Sequence, residues 1–103
     1  MCELVELRAV LRDVLGWRNV DAGDGWLIFA LPPAELGVHP GEEPHHEISL
    51  MCDDLDVTVV ELRDRGIGFR DDRREAGFGT TITMLLPGDV PVLLYQPRHP
   101  TVI

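Results

Sequence analysis

The chain has 103 residues, a net charge of −9 and hydrophobic side chains at 45% of its positions. This length suits one domain with its own core, and the acidic balance disfavours nucleic acid and anionic membranes as partners, because both are negatively charged. No apolar run is long enough to span a bilayer, no signal peptide is recognisable, and the two cysteines make no disulfide framework. We therefore expect a cytoplasmic protein.

The first half predicts a helix followed by three strands. Leucine and valine recur at helical spacing from Leu4 to Leu15, and Gly16 supplies the left-handed residue that ends such a helix. Strands are predicted at residues 17–20, 26–31 and 34–39. Glycine and proline separate them, and the segment PGEEP, residues 40–44, reads as a linker.

The second half predicts the same plan with one additional strand in front. The segment EISLMC, residues 47–52, alternates as a strand, and Asp53 or Asp54 caps a helix that ends at Gly66. Further strands are predicted at residues 67–70, 80–86 and 90–96. The polar segment 71–79 reads as a loop.

Five segments, taken together and in order, resemble the vicinal oxygen chelate superfamily, which includes glyoxalase I, extradiol dioxygenases and bleomycin-resistance proteins. They are LRDVLGWR, GDGWLIFAL, ELGVHP, HEISLMCDDLDVTVVELRDRGI and LPGDVPVLLYQP. The resemblance implies an α+β fold, in which paired βαβββ modules curl mixed sheets around a cavity and keep their helices outside. Residues 1–103 then form a single domain. Its first module, residues 1–40, lacks the leading strand and is αβββ, whereas its second module, residues 45–103, is complete.

The resemblance also implies where a metal would bind. In metal-using members, four ligands converge from the first and last strands of each module. The first of these strands is absent here, and Leu93 stands at the position of the last ligand, so that only Glu35 and Glu47 remain. We therefore expect no complete metal site and no cofactor. A divalent cation held by both carboxylates with help from His39 or His45 is the alternative.

Glu47 is the main candidate for a catalytic residue. A buried carboxylate without a partner costs several kcal/mol, so that such a residue is expected to be paired or used. If it is desolvated, Glu47 would suit the role of a general base. The ligand-binding residues that we predict are Trp26, His39, Met51 and Tyr95.

These observations leave three functions open. The first is metal-independent binding of a small molecule, similar to the role of the drug-sequestering members. The second is a metal-dependent lyase or dioxygenase that uses Glu35 and Glu47, and the third is a degenerate module that only pairs with another protein. Because the missing strand leaves an apolar sheet edge beside residues 26–31 or 34–39, we also predict a homodimer.

Overall fold

The structure, a computed structural model, describes residues 2–24, 26–35, 37–38 and 40–101. Two helical segments and seven strands form in this part of the chain. Helix α1 spans Cys2–Ala9 and continues as a π-helical turn over Val10–Val14, and helix α2 spans Leu55–Asp64. The strands are β1 (Asn19–Asp21), β2 (Leu27–Phe29), β3 (Ser49–Met51), β4 (Gly68–Phe69), β5 (Arg74–Ala76), β6 (Gly79–Leu86) and β7 (Val90–Pro97).

The second half of the chain forms one five-stranded sheet with α2 between its first two strands in the order β3, α2, β4, β5, β6 and β7. Its strand order is β3-β7-β6-β4, with the short β5 paired to β6. Strands β3 and β7 are parallel, and the long strands β6 and β7 form an antiparallel hairpin through eight residue pairs. The hairpin turn contains Gly88 and Asp89, which both adopt positive φ. Pro87 and Gly88 in the sequence predict this turn.

Both helices pack on one face of this sheet. Leu55 and Val59 of α2 contact Ile82 and Leu94, and this cluster is one part of the buried core. The opposite face carries the residues that alternate with these along the same strands. We call it the open face, and it presents Met51, Thr81, Thr83, Leu93 and Tyr95.

The first half of the chain packs against a hydrophobic core that belongs to the second half. Leucine and valine side chains of the first helical segment pack against a buried cluster of Ile67, Met84 and Leu86. The guanidinium group of Arg65 donates hydrogen bonds to the carbonyl oxygens of Asp13 (2.8 Å) and Val14 (3.0 Å). No side chain that the structure describes between residues 5 and 38 is itself buried. The first module is therefore held by contacts with the second.

Three details differ from the sequence expectation. The third strand of the first module, predicted at residues 34–39, is not formed in the described residues 34–35 and 37–38. Strands β1 and β2 make a separate two-stranded sheet, and within the described residues no further strand pairs with either of them. The predicted loop 71–79 contains β5, which pairs with β6. In addition, the two sheets formed by the described residues are separate and do not close around a cavity.

The helix ends agree with the prediction. Gly16 has a φ of 73° where the first helix stops, and Asp54 rather than Asp53 caps α2. No helix in the described part of the chain combines the length and the apolar character that crossing a membrane requires.

Candidate functional site

A shallow cleft of about 200 Å³ lies on the open face. Its floor is formed by side chains of β6 and β7, and its rim comes from the segment that precedes β6. The lining residues are Asp72, Arg74, Phe78, Thr81, Thr83 and Leu93. Sites that enclose a drug-sized ligand usually measure roughly 300–1,000 Å³. The cleft of the single chain is therefore smaller than a pocket that encloses such a ligand.

Hydrogen bonds hold the rim of this cleft against the sheet. The Asp72 carboxylate accepts from the backbone N–H of Thr83 at 2.9 Å and from its hydroxyl at 2.5 Å. The hydroxyl bond and then the backbone bond keep the pKa of Asp72 below its ordinary value. Arg74 is the second charged side chain at the rim of the cleft.

Tyr95 lies on the open face between Met51 of β3 and Thr81 of β6. Its ring packs edge-to-face on Phe78, with the centroids 5.3 Å apart, and its phenol oxygen lies 3.2 Å from Nε2 of His99. Burial, followed by the negative charge of Glu35, raises the pKa of Tyr95. Glu35 therefore acts on the open face from the first half of the chain.

The structure brings only some of the predicted ligand-binding residues together. Met51 and Tyr95 are direct partners in the parallel pairing of β3 with β7, so that they lie side by side on the open face. Trp26 immediately precedes β2, is 75% exposed and is not among the residues that line the cleft. His39 lies outside the described residues.

Glu47 lies two residues before β3 and is exposed. The sequence expectation placed it inside a strand, but β3 is shorter and begins at Ser49. The desolvation on which a general-base role depends is therefore not present in the single chain. A catalytic role for Glu47 stays a prediction.

The expected metal ligands do not form a cluster in the part of the chain that the structure describes. Glu35 is half-buried, Glu47 is exposed, and Leu93 points into the cleft where the resemblance implies a carboxylate in metal-using members. No group of three or more histidine, cysteine, aspartate or glutamate side chains is positioned to hold a metal among these residues, which do not include His39. Whether the protein works without metal stays a prediction.

The sequence reasoning missed most of the residues that line the cleft. Thr81 and Thr83 could have been found, because the alternation in TTITMLL places them on the face opposite Ile82 and Met84. Asp72 and His99 carried no such signal. Each reaches the site through a contact made outside the regular alternation of a strand.

The fold is that of an α+β protein with one open sheet face, and solved structures of the same architecture are known. The chain resembles TnmS3, an antibiotic binding protein from Streptomyces sp. CB03234, with a TM-score of 0.65 and 20% identity over 91% of this chain and 86% of that one. It also resembles a glyoxalase/bleomycin resistance protein from the same strain, with a TM-score of 0.57 and 19% identity over 90% of each chain. The predicted vicinal oxygen chelate fold is confirmed.

Comparison of the sequence with known proteins shows less similarity than comparison of the structure. No family model matches the chain. Among curated proteins, the chain is 28% identical over 96 residues to Protein TRL14 of human cytomegalovirus (strain AD169), which covers 81% of this chain and 50% of that protein. The chain thus spans about half the length of the curated relative that it matches.

Proposed function

We propose that this protein binds and sequesters a small aromatic molecule on the open face of its second module. The observation that carries the proposal is the make-up of that face. Apolar and aromatic side chains, Met51, Leu93, Tyr95 and Phe78, alternate there with a few polar groups, which is the usual composition of a small-molecule site. TnmS3, which has the same fold, is an antibiotic binding protein, and this supports the same class of ligand here.

We further propose that a second copy of the chain supplies the missing wall. The β1–β2 hairpin presents Val20, Trp26 and Ile28 on one of its faces, and they are 65%, 75% and 54% exposed. A contiguous apolar surface of this kind on a soluble protein commonly marks an interaction site. In a symmetric dimer, the hairpin of each chain covers the open face of the other, and Trp26 then lines the ligand site as the sequence predicted.

We also propose that the protein binds this small molecule without a catalytic metal. We expect it to do so in the cytoplasm. Leu93 offers no ligand atom at the position where metal-using members carry one. A metal-dependent lyase or dioxygenase would instead need Glu35 and Glu47 together with a histidine or a residue of the partner chain. Elemental analysis separates the two functions: we expect well under one equivalent of Zn, Ni, Fe or Mn per chain. Near-stoichiometric metal that is lost in Glu47→Ala would establish the enzyme instead.

Ligand binding itself is tested with daunorubicin, a planar aromatic antibiotic whose fluorescence reports binding. We expect saturable binding by the native protein, unchanged by a chelator. Leu93→Arg places a charged side chain in the cleft and should weaken binding more than tenfold. The matched control is Val57→Arg, because Val57 is an exposed residue on α2, the far side of the sheet. Absence of saturable binding, or equal loss in both variants, would refute the proposal.

A further inference from the structure

The hydrogen bonds of His99 fix the direction of its bond with Tyr95. Nδ1 of His99 lies 2.8 Å from the carbonyl oxygen of Pro100, which only accepts hydrogen bonds. Nδ1 therefore carries the proton, and in the neutral ring Nε2 presents its lone pair. It follows that the Tyr95 hydroxyl donates its hydrogen to Nε2 across the 3.2 Å between them.

This arrangement leaves the Tyr95 oxygen as an acceptor. Its hydrogen is used, its lone pairs remain, and the edge-to-face contact with Phe78 fixes the ring on the open face. The negative charge of Glu35, which already disfavours the phenolate form of Tyr95, also disfavours an anionic ligand beside it. A hydroxyl or N–H group on a neutral or cationic molecule fits this position.

The pair is not needed to hold the C-terminal segment on the sheet. Arg98 already does so, because its backbone N–H donates to the carbonyl of Phe78 at 2.9 Å and its guanidinium group binds Glu75 and the carbonyl of Ala76. The bond from Tyr95 to His99 instead fixes which atom of the Tyr95 hydroxyl group is available on the open face.

We propose that Tyr95, oriented by His99, is a polar subsite that accepts a hydrogen bond from a neutral or cationic aromatic ligand bearing a hydroxyl or N–H group. His99 is a positioning residue, since it acts through Tyr95. The inference rests on the proposed function, because the subsite lies on the same open face, and it specifies the chemistry of the ligand.

The test compares two probes of nearly equal shape, 2-naphthol and 2-methoxynaphthalene, of which only the first donates a hydrogen bond. We expect the native protein to bind 2-naphthol about tenfold more tightly, the worth of one good hydrogen bond. In Tyr95→Phe the affinity ratio of the two probes should fall to about one. In His99→Phe the freed Tyr95 hydroxyl donates, and the ratio should shift towards 2-methoxynaphthalene. A role in structure alone would weaken both probes equally.

The outcomes separate the inference from the function beneath it. Equal affinity of the native protein for both probes, with both lost in Leu93→Arg, would overturn the subsite and leave the binding face intact. If neither probe nor daunorubicin binds saturably, the proposed function fails and the subsite with it. The ratio of the affinities for the two probes is measured on the native protein, so that this part of the test does not depend on a variant that folds. Val57→Arg should leave this ratio unchanged and is the control for the effect of a substitution as such.

Discussion

Single residues of the same type have different roles here because of where the fold places them. Thr81 and Thr83 are both on the open face, but Thr81 is buried in the floor of the cleft, whereas Thr83 binds Asp72 through its backbone and its hydroxyl. Glu35 acts electrostatically on Tyr95, whereas Glu47 is exposed before β3. Chemical type alone therefore does not identify the site residues.

Gly79 gives a prediction at this scale. It begins β6 opposite Pro97, and an added Cβ atom would lie 3.1 Å from the carbonyl carbon of Gln96 and from Cα of Pro97. Because both neighbours are backbone atoms of β7, they move only if the hairpin opens. We expect Gly79→Ala to lower the free energy of unfolding by about 1–3 kcal/mol, measured by urea denaturation.

Gly77 is the matched control for this substitution. It lies two residues earlier, and an added Cβ atom there meets nothing within 4 Å. Gly77→Ala should leave the urea midpoint nearly unchanged. If Gly79→Ala and Gly77→Ala had equal urea midpoints, the β6–β7 hairpin would have to open at this end with little loss of folding free energy.

At the scale of elements, α2 is fixed to the sheet at its N-terminus. The Asp54 carboxylate accepts from the backbone N–H of Val57 at 3.1 Å, and the side chain of Gln96 accepts from the backbone N–H of Leu55 at 2.9 Å. Two of the donors that the first turn of a helix leaves unpaired are thus satisfied. The second of these bonds joins the helix to β7, so that it also sets the position of α2 on the sheet.

The cap is tested by comparing two neighbouring aspartates. Asp54→Ala removes the acceptor and should destabilise the protein by about 1 kcal/mol, as measured by chemical denaturation. Asp53→Ala removes an equal charge one residue earlier without removing the cap and should have a smaller effect. If Asp53→Ala costs as much as Asp54→Ala, charge near the helix end matters and the hydrogen bond does not.

At the scale of the whole molecule, the two modules are unequal. The second contains the buried core, whereas the first contributes a helix that packs on that core and a two-stranded hairpin. An isolated two-stranded sheet is at best marginally stable in water. Exposed apolar residues on this hairpin therefore favour a partner, and we propose that a second copy of the chain is this partner.

We expect a homodimer at micromolar concentration, measured by light scattering and sedimentation. Its interface should be largely apolar and bury upward of roughly 2,000 Å² in total. Trp26→Asp should shift the protein towards monomer, whereas Val60→Asp, at an exposed position on α2, should not. A monomer of 11.5 kDa whose stability is unchanged by dilution would contradict the dimer and require another wall for the ligand site.

The sequence by itself determined where the two helices end and which way the residues of the long strands face. Gly16 and Gly66 end the helices with positive φ, an aspartate caps α2, and alternation along β6 and β7 assigns each residue to a face. These features are local, because backbone dihedral preference and hydrophobic periodicity act within a few residues of the chain. They were sufficient to indicate the family of folds.

Only the tertiary structure decided the rest. Whether residues 34–39 form a strand depends on a neighbouring strand to pair with, and whether Arg74 belongs to a loop or to β5 depends on β6. The contacts of Asp72 with Thr83 and of Tyr95 with His99 arise where a connecting segment or the C-terminal tail folds back on the sheet. Hydrogen bonds between segments have no periodic signature, because their geometry is set by how the segments meet in space and not by the order of residues within either one.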